Sequence, residues 1–168
     1  MKHTLILLLI FLTCSQSVLL SQTSKTDLEE EVWTVVEKRN ATWKNGDFEG
    51  HSNICHPAFM RWVTDSDELL TKENLREFWD SSKVDIRILK LDVTRKAIQF
   101  FNEENLAVAH YTIYEEIEYT GEDYKDENYV IKKGEIFKEI WRFSDYYIKE
   151  GSDWLYIGGN KLDMTEKD

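Results

Sequence analysis

The chain has 168 residues, enough for one domain with a single hydrophobic core. Its formal net charge is −11, which argues against nucleic acid or an anionic membrane as a partner, because both bind basic surfaces. After residue 21 the chain has a single cysteine and three scattered histidines, which do not supply the ligands of a structural zinc site. The sequence therefore predicts no metal and no cofactor.

An export signal is predicted at residues 1–21. A basic start at Lys2 precedes an unbroken apolar run from Leu5 to Leu12, and small or polar residues follow. The apolar run is too short to span a membrane. A lipoprotein with Cys14 as the lipidated residue is the alternative, for which the preceding Thr13 is a poor fit. We expect an exported protein, either periplasmic or secreted.

One folded domain is predicted at residues 26–162, with a short C-terminal tail at 163–168. Removing the leader, which holds one lysine and no acid, moves the net charge to roughly −12. Cys55 is then the only cysteine, so no internal disulfide is expected in the exported chain.

Helices are predicted in the first half of the domain. The first runs from Thr26 to Lys44, with Thr26 as its cap, and its apolar stripe includes one cation, Arg39. Gly46 is a natural stop for this helix. A short second helix is predicted from Phe48 to Cys55, and a third from Thr71 to Ser81 with Thr71 as its cap.

Strands are predicted from residue 85 onward, where the apolar pattern changes to a period of two. A short strand or turn is also expected at Phe59 to Val63. The main strands are Ile86 to Thr94, Ala97 to Phe101, Leu106 to Tyr119, Glu135 to Phe143 and Trp154 to Gly158. Helices followed by an antiparallel sheet predict one α+β domain.

The strand from Leu106 to Tyr119 has the clearest alternation of the chain. Its odd-numbered residues are mostly apolar and predict the buried face, except for Glu115. A carboxylate on a buried face must be paired, protonated or turned toward a wet cavity, because burying it bare is costly. The even-numbered residues predict an outer face that includes His110, Thr112, Tyr114 and Glu116.

Three segments together resemble the NTF2-like superfamily, specifically its SnoaL-like and DUF4440-type members. They are RNATWKNGDFE at Arg39 to Glu49, ICHPAFMRW at Ile54 to Trp62, and EIWRF with DWLYIGG between Glu139 and Gly159. The resemblance runs from about Leu28 to Lys161. It implies a cone in which a curved, antiparallel or mixed sheet wraps over three N-terminal helices, with a pocket between them. It also implies a homodimer through the outer sheet face.

The resemblance to ketosteroid isomerases implies a changed set of reactive residues. Arg39 stands where those enzymes have a tyrosine, and Glu139 stands at the position of their protonated carboxylic acid. The position of their general base falls near Val63, where no carboxylate is found unless a shift brings in Asp65 or Asp67. Proton abstraction needs a base within hydrogen-bond reach, and a cation beside Glu139 would favour its ionised form. Isomerase activity is therefore not expected.

A small-molecule site without catalysis is the predicted function. A charged pair of Arg39 and Glu139 would anchor the ligand at the depth of the pocket, and aromatic side chains would pack it. The predicted ligand-binding residues are Arg39, Trp43, Trp62, Tyr111, Ile113, Glu139 and Trp141.

Two other functions stay open at this stage, because the fold by itself does not define a reaction. One is an isomerase, cyclase or hydrolase that uses Glu139 or Glu115 as its acid or base. The other is a structural dimerisation or partner-binding domain that uses the outer face around His110.

Overall fold

The computed structural model describes residues 25–63, 66–102, 104–125 and 130–165. The predicted export signal, including Cys14, lies outside the described residues. Two compact units are distinguished, Met1–Glu31 and Val32–Asp168. Residues 25–31 of the first unit are helical. No helix in the described part of the chain is long and apolar enough to cross a membrane.

Three helices occur among the described residues of the second unit. The first, α1, covers residues 32–45 and ends at Gly46, whose φ of 69° is a left-handed conformation that suits glycine. The second, α2, covers Phe48–Ile54, and the Asp47 side chain caps it by accepting a 2.9 Å hydrogen bond from the Gly50 amide.

The third helix, α3, covers Leu75–Lys83 and begins later than predicted. Thr71 is not its cap, because Thr71 belongs to a strand and pairs with Met60. Asn74 occupies the cap position, and its side chain accepts a 2.7 Å hydrogen bond from the Thr71 amide instead of bonding the helix. The predicted early start was wrong because a strand that ends at Thr71 and a turn after it precede the helix.

Eight strands are present among the described residues, and all of their pairings with one another are antiparallel. Strands β1 and β2 form a hairpin, β5 and β6 form a second small hairpin, and the main sheet has the order β3-β4-β7-β8. Their bounds are β1 Met60–Trp62, β2 Leu69–Thr71, β3 Ile86–Phe101, β4 Leu106–Tyr119, β5 Tyr124–Lys125, β6 Val130–Ile131, β7 Ile136–Glu150 and β8 Asp153–Asp163. Helices followed by this curved sheet confirm the predicted α+β class.

Strands β3, β7 and β8 differ in length from the prediction. The two segments predicted before residue 102 form the single strand β3, in which the pairing to β4 skips Leu89 and Lys96. Such bulges interrupt the period-two pattern and made one strand look like two. Strands β7 and β8 both continue well past the predicted ends at Phe143 and Gly158.

Strand β4 has the two faces that its alternation predicts. Its odd-numbered residues from Ala107 to Glu115 are buried, and they point to the same side as the odd-numbered residues of β7. Tyr111, on β4, Tyr147, on β7, and Val36, on α1, are all completely buried. This concave face and the helices enclose the candidate site.

Gly158 positions the β1 hairpin against β8. It adopts a φ of 147°, and a side chain at this position would collide with the Met60 carbonyl. The close approach of β1 brings Phe59 and Arg61 to the end of the sheet that carries Tyr156.

Candidate functional site

A cavity of about 200 Å³ lies between the helices and the concave face of the sheet. Its wall combines large apolar side chains with a smaller polar set. The apolar wall consists of Trp43, Phe59, Leu70, Leu75, Phe78, Trp79, Ile113, Phe143 and Tyr156. The polar wall consists of Arg39, Asn40, His51, Arg61, Ser82, Glu115 and Lys161.

Arg39 forms a buried ion pair at one end of the cavity, and its partner is Asp145. The Nη2 atom of Arg39 is 2.5 Å from the Asp145 Oδ2 atom, and the two side chains are 7% and 1% exposed. The predicted pairing of Arg39 with Glu139 was wrong. Both acids lie on the concave side of β7, but six residues of strand separate them by about 20 Å, and α1 crosses near Asp145.

Three tyrosines surround this ion pair. Arg39 Nη2 also donates a 2.5 Å hydrogen bond to the Tyr111 hydroxyl, which itself donates to Asp145 Oδ2. The guanidinium lies 4.3 Å from the centre of the Tyr156 ring, and the Tyr156 hydroxyl donates a long 3.4 Å hydrogen bond to Asp145 Oδ1. Tyr147 is completely buried in the same cluster. We refer to Arg39, Tyr111, Asp145, Tyr147 and Tyr156 as the arginine cluster.

The charges of the arginine cluster are stable in the interior because they compensate each other. Burial lowers the pKa of Arg39, whereas the Asp145 carboxylate raises it. The net result is a pKa well above the usual value of arginine. Burial raises the pKa of Tyr111 far above its usual value, so this phenol stays a hydrogen-bond donor. Arg39 Nε and Tyr147 Oη make no hydrogen bond with a described residue. Breaking this pair would leave a bare charge in the core.

His51, on α2, adds a neutral acceptor to the wall. The Thr42 hydroxyl donates its proton to the Arg39 carbonyl at 2.7 Å, so its oxygen accepts from His51 Nδ1 at 3.2 Å. This places the imidazole proton on Nδ1 and leaves Nε2 with a free lone pair. Burial, followed by the positive charge of Arg39, lowers the pKa of His51 from 6.5 to about 3. His51 is therefore neutral over the physiological range.

Glu115, on β4, is the one carboxylate of the wall among the described residues. Its side chain is buried, with the residue 6% exposed, and it pairs directly across the sheet with Glu139. Burial raises the pKa of Glu115, the nearby Lys161 lowers it, and the Glu139 carboxylate raises it again, for a net upward shift. Glu115 is therefore more readily protonated than an exposed glutamate.

Lys161, on β8, reaches the cavity across the Trp141 ring. Its Nζ atom lies 3.2 Å from the centre of that ring, and it makes no hydrogen bond or ion pair with a described residue. Burial lowers the pKa of Lys161 to about 8, although the Glu115 carboxylate acts in the opposite direction. Trp141 Nε1 donates a 2.9 Å hydrogen bond to Glu139 Oε2. We refer to Glu115, Glu139, Trp141 and Lys161 as the lysine cluster.

The predicted ligand-binding residues are distributed around the cavity rather than all along its wall. Arg39, Trp43 and Ile113 line it. Tyr111 lies behind Arg39 in the arginine cluster and does not reach the wall. Trp62 is 60% exposed and lines a surface groove that shares only Lys161 with the cavity.

Glu139 and Trp141 also lie outside the cavity wall, under the side chain of Lys161. Of the two catalytic candidates, Glu115 lines the cavity and Glu139 does not. The sequence places the general base of the isomerases near Val63, which is not a carboxylate, and a shift would bring in Asp65 or Asp67. Asp65 is outside the described residues, and neither of the other two lines the cavity.

Four important residues were not predicted from the sequence. Asp145 and Lys161 follow the predicted ends of β7 and β8. Continuing the alternation from Trp141 would have placed Asp145 on the concave face, but the pairing of β8 skips Ile157, so the alternation from Tyr156 does not lead to Lys161. His51 and Arg61 had no local signal. Their positions depend on contacts between elements that are distant in the chain.

Comparisons with known proteins identify the fold. No family model and no curated protein matches the sequence significantly. Among solved structures, a ketosteroid isomerase-like protein from Erwinia carotovora atroseptica superposes with a TM-score of 0.66 at 7% identity, covering 82% of this chain and 96% of the other. An NTF2-like protein of unknown function in nutrient uptake from Rhodospirillum rubrum gives 0.59 at 16% identity, covering 80% and 99%.

A third similar structure is the association domain of CaMKII from C. elegans, with a TM-score of 0.54 at 15% identity over 82% of this chain and 97% of that domain. Identities this low establish the fold alone. The chain has the NTF2-like fold, as its three sequence segments indicated. The narrower SnoaL-like or DUF4440-type assignment stays a prediction.

Proposed function

We propose that this NTF2-like domain binds a small, partly apolar molecule in the cavity between its helices and sheet. The observation that carries the proposal is the wall itself, in which large aromatic side chains surround a few polar groups. An apolar cavity of about 150 Å³ holds benzene in another protein. A cavity of about 200 Å³ therefore suits a molecule of one small ring with a polar substituent.

The polar groups of the wall indicate how such a ligand would be oriented. His51 offers an acceptor at one end, since its Nε2 lone pair is not used by a described residue. Lys161 offers a donor, and Trp43 and Trp79 form an edge-to-face pair 5.1 Å apart in the same wall. A ligand with a polar group at each end of an apolar body would satisfy both.

Native mass spectrometry of the protein purified from its host tests this proposal. A retained small molecule on wild type is the expected result. Ser82→Phe, which adds a ring to the cavity wall, should abolish retention, whereas Ser81→Phe, on the exposed side of the same helix, should not. Equal retention by the two variants, after both are shown to be folded, would place the ligand elsewhere.

The proposal includes export, for which the support is the leader pattern at residues 1–21. Fractionation of host cells should then give a shortened chain outside the cytoplasm. Globomycin, which blocks processing of lipoproteins, would separate a plain signal from lipidation at Cys14. A full-length chain in the cytosol would contradict the export prediction.

An enzyme is the second candidate function, favoured by one observation. Glu115 is a buried carboxyl group with a raised pKa in the wall of a cavity, which is typical of general acids and bases. Exchange of the α-protons of cyclohexanone in D₂O, followed by NMR, is a suitable test. If the wild-type protein accelerates the exchange and Glu115→Gln does not, catalysis is supported. If exchange with the wild-type protein is no faster than in buffer, the result argues against catalysis.

Homodimerisation through the outer sheet face is also part of the proposal. Ile140 and Leu162, on adjacent strands, are 44% and 48% exposed on the face opposite the cavity. A dimer should be seen by light scattering, and Ile140→Lys should convert it into a monomer. Val84→Lys, an equal change at a residue that is 64% exposed elsewhere, is the control. A monomeric wild type at high concentration would contradict this part.

A further inference from the structure

Lys161 differs from an ordinary buried lysine in having no polar partner for its amino group. Lysines inside proteins normally satisfy their three donors with carboxylates or carbonyls. The Nζ atom of Lys161 instead rests on the face of the Trp141 ring and makes no hydrogen bond or ion pair with a described residue. It lines the cavity, so a molecule in the cavity meets it directly.

Glu115 supplies a carboxyl group to the same cavity. It is the wall residue whose charge acts most strongly on Lys161, and it is almost completely buried. The cavity thus contains a half-buried amino group and a buried carboxyl group. Desolvation of both groups stabilises the pair of neutral forms relative to the pair of ions.

From this arrangement we propose that Lys161 captures small aldehydes or ketones as an imine, with Glu115 as the proton donor. The inference rests on the proposed function, because it requires the cavity to admit a small ring compound. It adds a chemical class to that function, namely carbonyl compounds with an apolar body.

The capture needs no oxidant, reductant or cofactor. The lone pair of Lys161 Nζ attacks the carbonyl carbon, the carbon–oxygen π bond breaks, and the proton lost from nitrogen moves to oxygen to give a carbinolamine. Glu115 then protonates the hydroxyl group, which leaves as water while nitrogen forms the double bond to carbon. The products are a protonated imine and a Glu115 carboxylate, an ion pair of the same charge as the ordinary lysine and glutamate.

Lys83 provides an internal control in which the pKa is similar and the geometry differs. Burial lowers the pKa of Lys83 to about 8 as well. Its Nζ atom, however, donates a 2.5 Å hydrogen bond to the Trp43 carbonyl and does not line the cavity. If the pKa of the amino group alone determined its reactivity toward a carbonyl compound, Lys83 and Lys161 would react equally.

The test uses benzaldehyde as the probe, sodium cyanoborohydride to trap imines at pH 7, and peptide mapping by mass spectrometry. Lys161 should acquire the benzyl group at least about tenfold faster than Lys83 or the exposed Lys96, because Lys161 combines a lowered pKa with a position in the cavity wall. Lys161→Arg should remove this label. Glu115→Gln should slow it by about tenfold through loss of the proton donor.

Benzyl alcohol separates a failure of this inference from a failure of the proposed function. It has the same ring and cannot form an imine, and its binding is followed by tryptophan fluorescence, with Ser82→Phe as the non-binding control. Saturable binding of the alcohol without preferential labelling of Lys161 would overturn the inference alone. If the alcohol does not bind and Lys161 is not preferentially labelled, the inference is overturned and the result also counts against the proposed function.

Discussion

The two ends of the cavity use charge in opposite ways. In the arginine cluster, the cation of Arg39 and the anion of Asp145 are in direct contact, and Tyr111 bonds to both. In the lysine cluster, Lys161 and Glu115 share a cavity, yet the ammonium rests on Trp141 without a hydrogen bond to a described residue. One end is compensated internally, and the other is left available to a ligand.

The difference between the two clusters indicates which polar residues of the core stabilise the fold. A compensated buried pair matters to the fold mainly because removal of one partner leaves the other charge buried and unpaired. An uncompensated group costs stability at all times, and proteins retain such groups where activity needs them. Variants at the two ends should therefore differ both in the size and in the sign of their effects on stability.

The largest effect is expected for the ion pair of the arginine cluster. Arg39→Ala should lower the free energy of unfolding by about 3–5 kcal/mol, because it leaves the Asp145 carboxylate buried and unpaired. Urea denaturation followed by circular dichroism measures the loss. Arg87→Ala, at a pair whose arginine side chain is 65% exposed, is the matched control and should change stability little. Similar losses at both sites would show that Arg39 and Asp145 are not held as described.

The next effect is a pH dependence caused by His51. Its pKa is lowered from 6.5 to about 3, so the folded state stays neutral where the unfolded state binds a proton. The stability contributed by neutral His51 is complete above pH 6.5 and is lost as pH falls toward 3. Between pH 6.5 and pH 4 this loss amounts to roughly 3 kcal/mol.

The difference in stability between wild type and His51→Gln isolates this contribution from other acid effects. Wild type should be the more stable protein at pH 7, and its advantage should shrink as pH falls to 4. NMR of the wild-type ring nitrogens should show a protonated Nδ1 and an unprotonated Nε2 at both pH values. A His51 ring that titrates near pH 6.5 would contradict the buried, neutral assignment.

A smaller pair of effects ranks the tyrosines of the arginine cluster. Tyr111→Phe should cost about 2 kcal/mol, because its hydroxyl bonds to two charged groups. Tyr156→Phe should cost less, about 0.5 kcal/mol, because its bond to Asp145 is 3.4 Å long. Thermal or urea unfolding of both variants gives the ranking. The reverse order would mean that Tyr156, not Tyr111, orients the Asp145 carboxylate.

Much of the fold follows from local sequence patterns. Strand β4 was predicted to the residue, because its odd and even positions have different chemistry over its whole length. The predicted strand before β8 stopped at Phe143 because Asp145 looks like a loop residue when read locally. Its partner Arg39 lies 106 positions earlier, and no period in the sequence connects them.

The site was predicted less completely for a related reason. The residues on the concave face of β4 followed from alternation, and Glu115 was correctly recognised as a buried acid that needs an explanation. Lys161 was missed because Gly158 and Gly159 looked like the end of a strand. Gly158 is required instead by the Met60 carbonyl packed against it, which is a contact between distant segments.

The measurement that tests this account most directly is the free energy of unfolding of Glu115→Gln at pH 7. A raised carboxyl pKa means that the ionised form of Glu115 costs stability, a cost complete above the folded pKa and absent below the usual value of 4.5. Glu115→Gln should therefore equal wild type in stability to within about 1 kcal/mol or exceed it, while it changes the ligand chemistry of the cavity. A loss of about 3 kcal/mol or more, comparable to that of Arg39→Ala, would contradict it.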